Sequence, residues 1–380
     1  KKMKYCISCF YPDTKPDLEF DKRGKCRACI SFEERSKTNW EKRKNEFIKI
    51  IKDIKKKRTG DYDCIIPVSG GKDSTWQLIK ALEYGLKPLC VNSRTCDLSP
   101  LGRKNLDNIR ALGADLIEVA PNSNIRKQLN KIGLLEVGDI SWPEHVAMFT
   151  IPFNIAVKLN VNIVLWGENS QNEYGGPIAA TKKVNLDRSW LEEFGGLLGL
   201  RVDDIFNHYN IKKENLLPYL YPTASQIKKL NLKSMFLGYF FPWDGYQNAM
   251  IAKKNGFLFY EKKVEGTSVS YENLDNFQTG IHDYFKYLKY GFGRTTDIMN
   301  NLLRRRSISK QKAEENIKKY DGNFPYTYLG KNIEDILKDI NISMEEFEKC
   351  CDQFTNKKLF KCDNKGNLMK KKLEVIKNFE

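Results

Sequence analysis

Between residues 63 and 166 short apolar runs alternate with stretches of helical periodicity, and no other feature constrains the fold as strongly. Asp63 to Val68 reads as a strand, and Ser74 to Tyr84 as a helix stopped by Gly85. Lys87 to Asn92 is a second strand, Leu101 to Leu112 a helix ended by Gly113, and Asp115 to Ala120 a third strand. Helices are expected at about 123–133 and 143–159, and Asn162 to Trp166 is a fourth strand. Regular alternation of this kind argues an α/β domain with a parallel sheet covered on both faces. Ligands of such sheets sit at the carboxyl ends of the strands.

The first strand runs directly into Ser69-Gly70-Gly71-Lys72-Asp73-Ser74, which opens a helix. Adjacent glycines let the backbone turn sharply and approach a ligand with no Cβ in the way. The amides then converge on one anion at the positive end of the helix dipole. Lys72 adds a point charge, and Ser69 and Ser74 add hydroxyl donors. The loop reads as a pyrophosphate cradle. It lacks the G-x4-G-K spacing of a Walker A loop and the G-x-G-x-x-G of a dinucleotide fold. Asp73 is a candidate magnesium or phosphate-shell residue, or alternatively a helix cap.

Four of the ten cysteines form two C-x2-C pairs, Cys6 with Cys9 and Cys26 with Cys29, separated by sixteen residues. Each pair offers two thiolates from one tight turn, and the spacer lets the second pair complete a tetrahedron around zinc. Residues 1–31 have almost no core of their own, so metal would supply much of their folding energy. Two disulfides or an iron–sulfur cluster are the alternatives. The absence of an apolar leader favours a reducing, cytoplasmic setting. Cys64 and Cys90 read as buried strand residues, and Cys96 lies just past a strand end. Residues 32–60 form a charged helical linker with Trp40, Phe47, Ile50, Ile51 and Ile54 at mostly helical spacing.

The fourth strand ends in Trp166-Gly167-Glu168-Asn169-Ser170-Gln171-Asn172-Glu173-Tyr174-Gly175-Gly176. A polar cluster at a strand's carboxyl end is where this architecture places chemistry. Glu168 and Glu173 could share magnesium, orient an attacking amine or transfer protons, or belong to a hydrated loop with helix caps. Asn169 and Tyr174 are candidate substrate contacts. The stretch Leu237 to Asp244 is aromatic and broken by proline, which suits a wall or lid carrying Trp243, or simple core packing. From His282 to Asp297 the chain concentrates His282, Lys286, Lys289 and Arg294 around aromatics and glycines. Arg294 could grip a carboxylate or phosphate with its planar fork, and Lys289 could join it. The three histidines, His145, His208 and His282, stand in unrelated settings.

Composition narrows the class further. Hydrophobic residues make up 41% and charged residues 29%, a globular mix. No apolar run approaches the ~20 residues needed to cross a bilayer, so membrane insertion is not expected. With 64 Lys+Arg against 48 Asp+Glu, the net charge is +16. That excess suits nucleic acid, phosphate-bearing small molecules or an acidic partner.

The SGGKDS loop resembles the PP-loop of the ATP pyrophosphatases, which split ATP into AMP and pyrophosphate while adenylating a substrate oxygen. Taken with the cysteine pairs, YPDTKPDLEFD, WGENSQNEYGG, FLGYFFPWD and KYGFGRTTDIMN, the chain resembles the bacterial N-acetyl sugar amidotransferases. These include the enzymes that install acetamidino groups on pseudaminic, legionaminic and mannosaminuronic sugars. The matching segments run in family order from about residue 5 to 325. The resemblance implies an adenine nucleotide alpha-hydrolase-like domain at 61–185, a substrate-binding and helical region at 186–330 and a helical tail at 331–380. It implies that Ser69 to Ser74 hold the β- and γ-phosphates of ATP beside magnesium. It also implies an N-acetylated sugar substrate, free or nucleotide-linked, and a separate class-I glutaminase subunit supplying ammonia. No glutaminase nucleophile is evident in this chain, although free ammonia would also serve.

The implied chemistry needs no side-chain nucleophile. Adenylation of the acetamido oxygen makes AMP the leaving group, and ammonia then attacks the imidate carbon to give the amidine. The rival reading is a PP-loop tRNA thiolase, which would suit the positive charge. Thiolation needs reactive cysteines beside the ATP site, and only Cys96 is well placed. Nucleic acid is therefore not the expected partner.

Overall fold

The computed structural model describes residues 3–58, 60–176, 197–371 and 374–375. The 185/186 boundary expected from the sequence lies outside the described residues. Five parallel strands form one sheet in the order β3-β2-β1-β4-β5. They are β1 (Cys64–Pro67), β2 (Pro88–Ser93), β3 (Asp115–Val119), β4 (Ile163–Trp166) and β5 (Lys233–Phe236). The first four agree with the sequence reading to within a residue or so at each end. β5 falls in the stretch assigned to the substrate region, so the sheet extends beyond its expected limit.

The side chains of each strand alternate between two cores, as a pleat with period two requires. Ile65, Leu89, Val91, Val164, Trp166 and Phe236 pack against α5 (Ser123–Val137) and α6 (Trp142–Lys158). Cys64, Ile66, Cys90, Ile163, Leu165 and Met235 pack on the other face. There they meet α2 (Trp40–Lys56), α3 (Lys72–Glu83) and α4 (Pro100–Ala111). Strand order runs outward from β1 to β2 and β3 on one side, and to β4 and β5 on the other. The chain thus changes direction at β1 and β4, and the crevice above their carboxyl ends is the expected ligand site.

The charged linker is two helices rather than one. α1 (Arg27–Ser36) starts inside the cysteine module, and α2 begins after Asn39, whose side chain accepts from the Lys42 amide at 2.9 Å. That N-cap satisfies an amide a continuous helix would have bonded internally, so the break is built in locally.

After β4 come α7 (Ser170–Tyr174), α8 (Gly245–Lys254), α9 (Thr279–Tyr290) and α10 (Arg294–Arg304). α11 (Lys310–Tyr320), α12 (Ile333–Asp339) and α13 (Met344–Phe354) follow. The last two pack with α9 in a core that also takes Leu134 and Ile140 from the sheet region. Among the described residues no helix is long and apolar enough to cross a membrane.

Candidate active site

The SGGKDS loop stands at the switch point. Gly70 has φ +82°, and a Cβ there would fall 2.8 Å from the Leu106 backbone nitrogen. Only glycine permits both the left-handed turn and the approach to α4. Gly71 is the N-cap of α3 and gives its first turn no side-chain acceptor. The helix amides at this end are therefore available to an anion.

Lys72 is 7% exposed and pairs with Asp73 and, at 3.0 Å, with Glu272. Burial alone would lower its pKa, but Asp73 and Glu272 outweigh that and hold it well above the ordinary lysine value. Asp73 also accepts from Asn248 on α8 at 2.9 Å. Asp73 is thus a polar hub rather than a cap of α3. Ser69 is exposed and Ser74 is buried, with its Oγ 3.1 Å from the Gly71 carbonyl.

Across the crevice, Gly167 leads from β4 into Glu168. A Cβ on Gly167 would meet the Trp243 ring at 2.8 Å, so this glycine serves close packing as well as the turn. Trp243 is buried and packs edge-on against Trp76, with centroids 5.0 Å apart. It forms a wall behind the loop. Glu168 is only partly exposed. Burial first, then the Asp73 charge, push its pKa up to about 7. Asp275, on the opposite rim, is pushed up to about 6 by burial. Carboxylates held partly protonated by confinement and mutual repulsion gain most from an added cation.

Glu173 behaves differently. It is 5% exposed, with one oxygen on Arg35 and the other 3.2 Å from Arg305. Its backbone carbonyl accepts from Arg304 at 2.9 Å. Burial pushes its pKa up, but Arg35 and Arg305 outweigh that and hold it below the usual carboxylate range. This pairing is that of a buried strut, without the freedom expected of a base or magnesium ligand. Asn169 is buried beside Glu168 and Glu173, lining the same recess with Arg35 and Trp243. Tyr174 is partly buried, and burial together with Glu168 and Glu272 raises its pKa.

The two basic candidates separate. Arg294, at the start of α10, is gripped by Asp283 through two bonds of 3.2 and 2.8 Å and lines the main cleft. Lys289 lies elsewhere and donates to the carbonyls of Val137 and Gly138 at 3.2 and 3.1 Å. It closes the carboxyl end of α5, where a cation complements the dipole. The expectation that it contacts substrate finds no support in this placement.

The cleft joining these groups has a volume of about 420 Å³. Ser69, Asp73, Glu168, His145, His282 and Arg294 all line it. Three buried polar atoms on its walls, Asn92 Oδ1, Thr95 Oγ1 and Trp166 Nε1, have no hydrogen-bond partner among the described residues.

Sequence reasoning placed His145 and His282 in unrelated settings, yet the fold brings them together. Their Nδ1 atoms each lie 2.8 Å from a different oxygen of Asp139, which is 2% exposed. Their rings meet edge to face at 5.1 Å. Asp139 carried no local signal, because its partners stand 6 and 143 positions away. The arginines around Glu173 were equally invisible as a set.

Beside the loop that follows β4, the sulfurs of Cys6, Cys9, Cys26 and Cys29 gather within 4.8 Å of one another, all buried. None is in a disulfide. The Cys9 and Cys26 sulfurs are 3.7 Å apart, where a tetrahedral zinc site with Zn–S of about 2.3 Å has edges of about 3.8 Å. The amides of Ser8 and Cys26 donate to the Cys6 sulfur. The donor set could hold a metal ion. Phe10, Tyr11 and Thr14 tie this module to the far helices. The Phe10 amide donates to Asn300 at 2.8 Å, Tyr11 to Asp297 at 2.8 Å and Thr14 to the Tyr290 carbonyl at 2.6 Å.

The family described as "LPS biosynthesis protein WbpG-like, C-terminal domain" matches residues 265–374. That part of the chain is similar to the C-terminal domain of a lipopolysaccharide biosynthesis protein. No curated protein matches the chain. The matched stretch supplies Asp275, His282 and Arg294 to the cleft and Arg304 and Arg305 to the Glu173 network. The region similar to the lipopolysaccharide protein therefore builds one wall of the crevice above the parallel sheet.

Proposed function

We propose that this chain modifies a bacterial surface sugar, as an ATP-dependent amidotransferase converting an N-acetyl group to an acetamidino group. One observation carries the reading. The glycine-turned loop at the switch point of a parallel sheet faces a confined carboxylate, Glu168, in a cleft walled by the lipopolysaccharide-biosynthesis-like stretch. The loop supports binding of the β- and γ-phosphates of ATP by Ser69, Gly70, Gly71, Lys72, Asp73 and Ser74. Lys72 neutralises phosphate charge, and the α3 amides add directed donors.

Magnesium would be held by Asp73 and Glu168, the latter with its pKa raised by burial and then by the Asp73 charge, and would neutralise the leaving pyrophosphate. Zinc would occupy the four-thiolate site as a structural ion. The acetamido oxygen attacks the α-phosphorus, and pyrophosphate departs. Ammonia then attacks the imidate carbon, and AMP leaves with the original oxygen. The protein positions both substrates and excludes water, with Arg294 suited to an anionic group on the sugar. A class-I glutaminase subunit is the proposed ammonia source.

The thiolase reading gains nothing from Cys96. Its side chain is partly buried, and burial with the nearby Glu144 pushes its pKa up to about 12, far from the thiolate such chemistry needs.

The test uses a sugar labelled with oxygen-18 in its N-acetyl group, with mass analysis of nucleotide and sugar products. Labelled AMP, and a sugar product one mass unit lighter than unlabelled substrate, are expected. ADP, unlabelled AMP or a sulfur-bearing RNA product would refute the reading.

A further inference from the structure

Resting on that reading, we propose that His145 and His282, joined through Asp139, are a catalytic proton-accepting pair for the nitrogen nucleophile. Asp139 is the centre of the arrangement. Each of its oxygens meets one imidazole Nδ1 at 2.8 Å, and the Ser141 amide donates to it at 2.9 Å. Burial would raise its pKa, but the two histidines outweigh that and hold it well below the ordinary range, so the carboxylate is ionised. An ionised carboxylate only accepts, so both Nδ1 atoms must carry hydrogen. The neutral rings then present Nε2 as a lone pair, the tautomer required of a general base. Neither Nε2 has a partner among the described residues. Both rings line the cleft that holds Asp73 and Glu168.

The surrounding charges suit one added proton. Glu144 stands beside His145 but is committed to Arg126 at 2.7 Å and Asn130 at 2.9 Å. Arg294 on α10 and Asp283 on α9 form their own pair, and Lys289 is turned to the end of α5. Against His145, burial favours the neutral ring, and Asp139 outweighs it and raises the pKa. The pair can thus take a proton without leaving an unpaired charge.

Starting from the adenylated imidate that keeps its proton on the sugar nitrogen, ammonia forms a C–N bond to the imidate carbon. The C–O bond breaks, and AMP takes its electron pair. One proton passes from the incoming nitrogen to an imidazole Nε2 and on to solvent, leaving an amidinium with a single positive charge.

Two measurements test the pair. The first uses His145→Gln and His282→Gln with ammonium chloride and the N-acetylated sugar established by the labelling experiment. Amidine formation should fall by about 100-fold or more and lose its acid limb, while sugar-dependent pyrophosphate–ATP exchange stays within about threefold. Amidine formation within threefold of the parent in both variants, or equal loss of exchange and amidine, would overturn the proposal. The second needs no substrate. Nitrogen-15 NMR of the three histidines in the parent protein should show His145 and His282 as Nδ1–H tautomers when neutral. An Nε2–H tautomer in either ring would overturn the assignment even if the sugar chemistry stands. Absence of any amidine product in the parent protein would instead refute the function, and the NMR result would still decide the pair.

Discussion

Glu168→Gln should stabilise the folded protein at alkaline pH while it impairs turnover. Burial and then the Asp73 charge raise the Glu168 pKa from 4.5 to about 7. A group raised in the folded state gives stability that is fully present below its unfolded pKa and lost as pH climbs through the folded one. At about 1.4 kcal/mol per unit, ionised Glu168 costs the folded state on the order of 3 kcal/mol above pH 7. Glutamine keeps the shape without the charge. The stability difference between variant and parent should therefore be near zero at pH 4.5, grow through pH 7 and level off above it. Urea melts across pH 4.5 to 8.5, without nucleotide or magnesium, measure it directly. AMP release at pH 8 should fall by well over tenfold in the same variant. An equal difference at all pH values, or destabilisation at pH 8, would show that Glu168 is not a confined carboxylate with a raised pKa.

Asp73→Asn should abolish AMP formation while the α3 helix remains folded by circular dichroism, because Asn248 can still pair with the amide. Lys72→Ala should lose the same activity and also cost roughly 3 kcal/mol or more, since it leaves Asp73 and Glu272 facing each other without their cation. One zinc ion per chain is expected by elemental analysis, and Cys6→Ser should lose it. That variant should slow turnover while the SGGKDS loop keeps its fold, because Arg35, six residues after Cys29, would no longer be held against Glu173.

The sheet was legible because its signal is local. β1 to β4 are short runs in regular alternation with helices, and SGGKDS sits on the turn after the first of them. β5 escapes because Lys233–Phe236 opens on two polar residues, Lys233 and Ser234, and its two apolar residues run straight into the aromatic turn that follows. The four cysteines were readable from spacing alone. The polar networks were not. Glu173 meets Arg305 across 132 positions, and Asp139 meets His282 across 143. Only tertiary topology creates such pairs. A carboxylate in the right loop was therefore credited with chemistry at both Glu168 and Glu173. The structure distinguishes them by charge: in Glu168 burial and the Asp73 charge outweigh the nearby Lys72, while Glu173 is saturated by guanidinium groups.

That saturation explains how distant parts of the chain come to share one site. Arg35 belongs to the helix that starts in the cysteine module, and Arg305 follows directly on α10, within the lipopolysaccharide-biosynthesis-like stretch. Both close on Glu173, which lies on α7, five residues beyond Glu168. Arg305 also bonds the Trp243 carbonyl at 2.5 Å and Asp244 at 3.0 Å, which fixes the wall behind the phosphate loop. A buried ion network of this kind contributes little net stability over apolar packing, since desolvation offsets most of the attraction. Its geometry is directional, however, and each arm comes from a different segment. Loss of either arginine leaves the buried Glu173 with a single cation and one fewer tie on the segment that follows Glu168. The cysteine module thus bears on the proposed site from outside the cleft, by setting where the segment that follows Glu168 can lie.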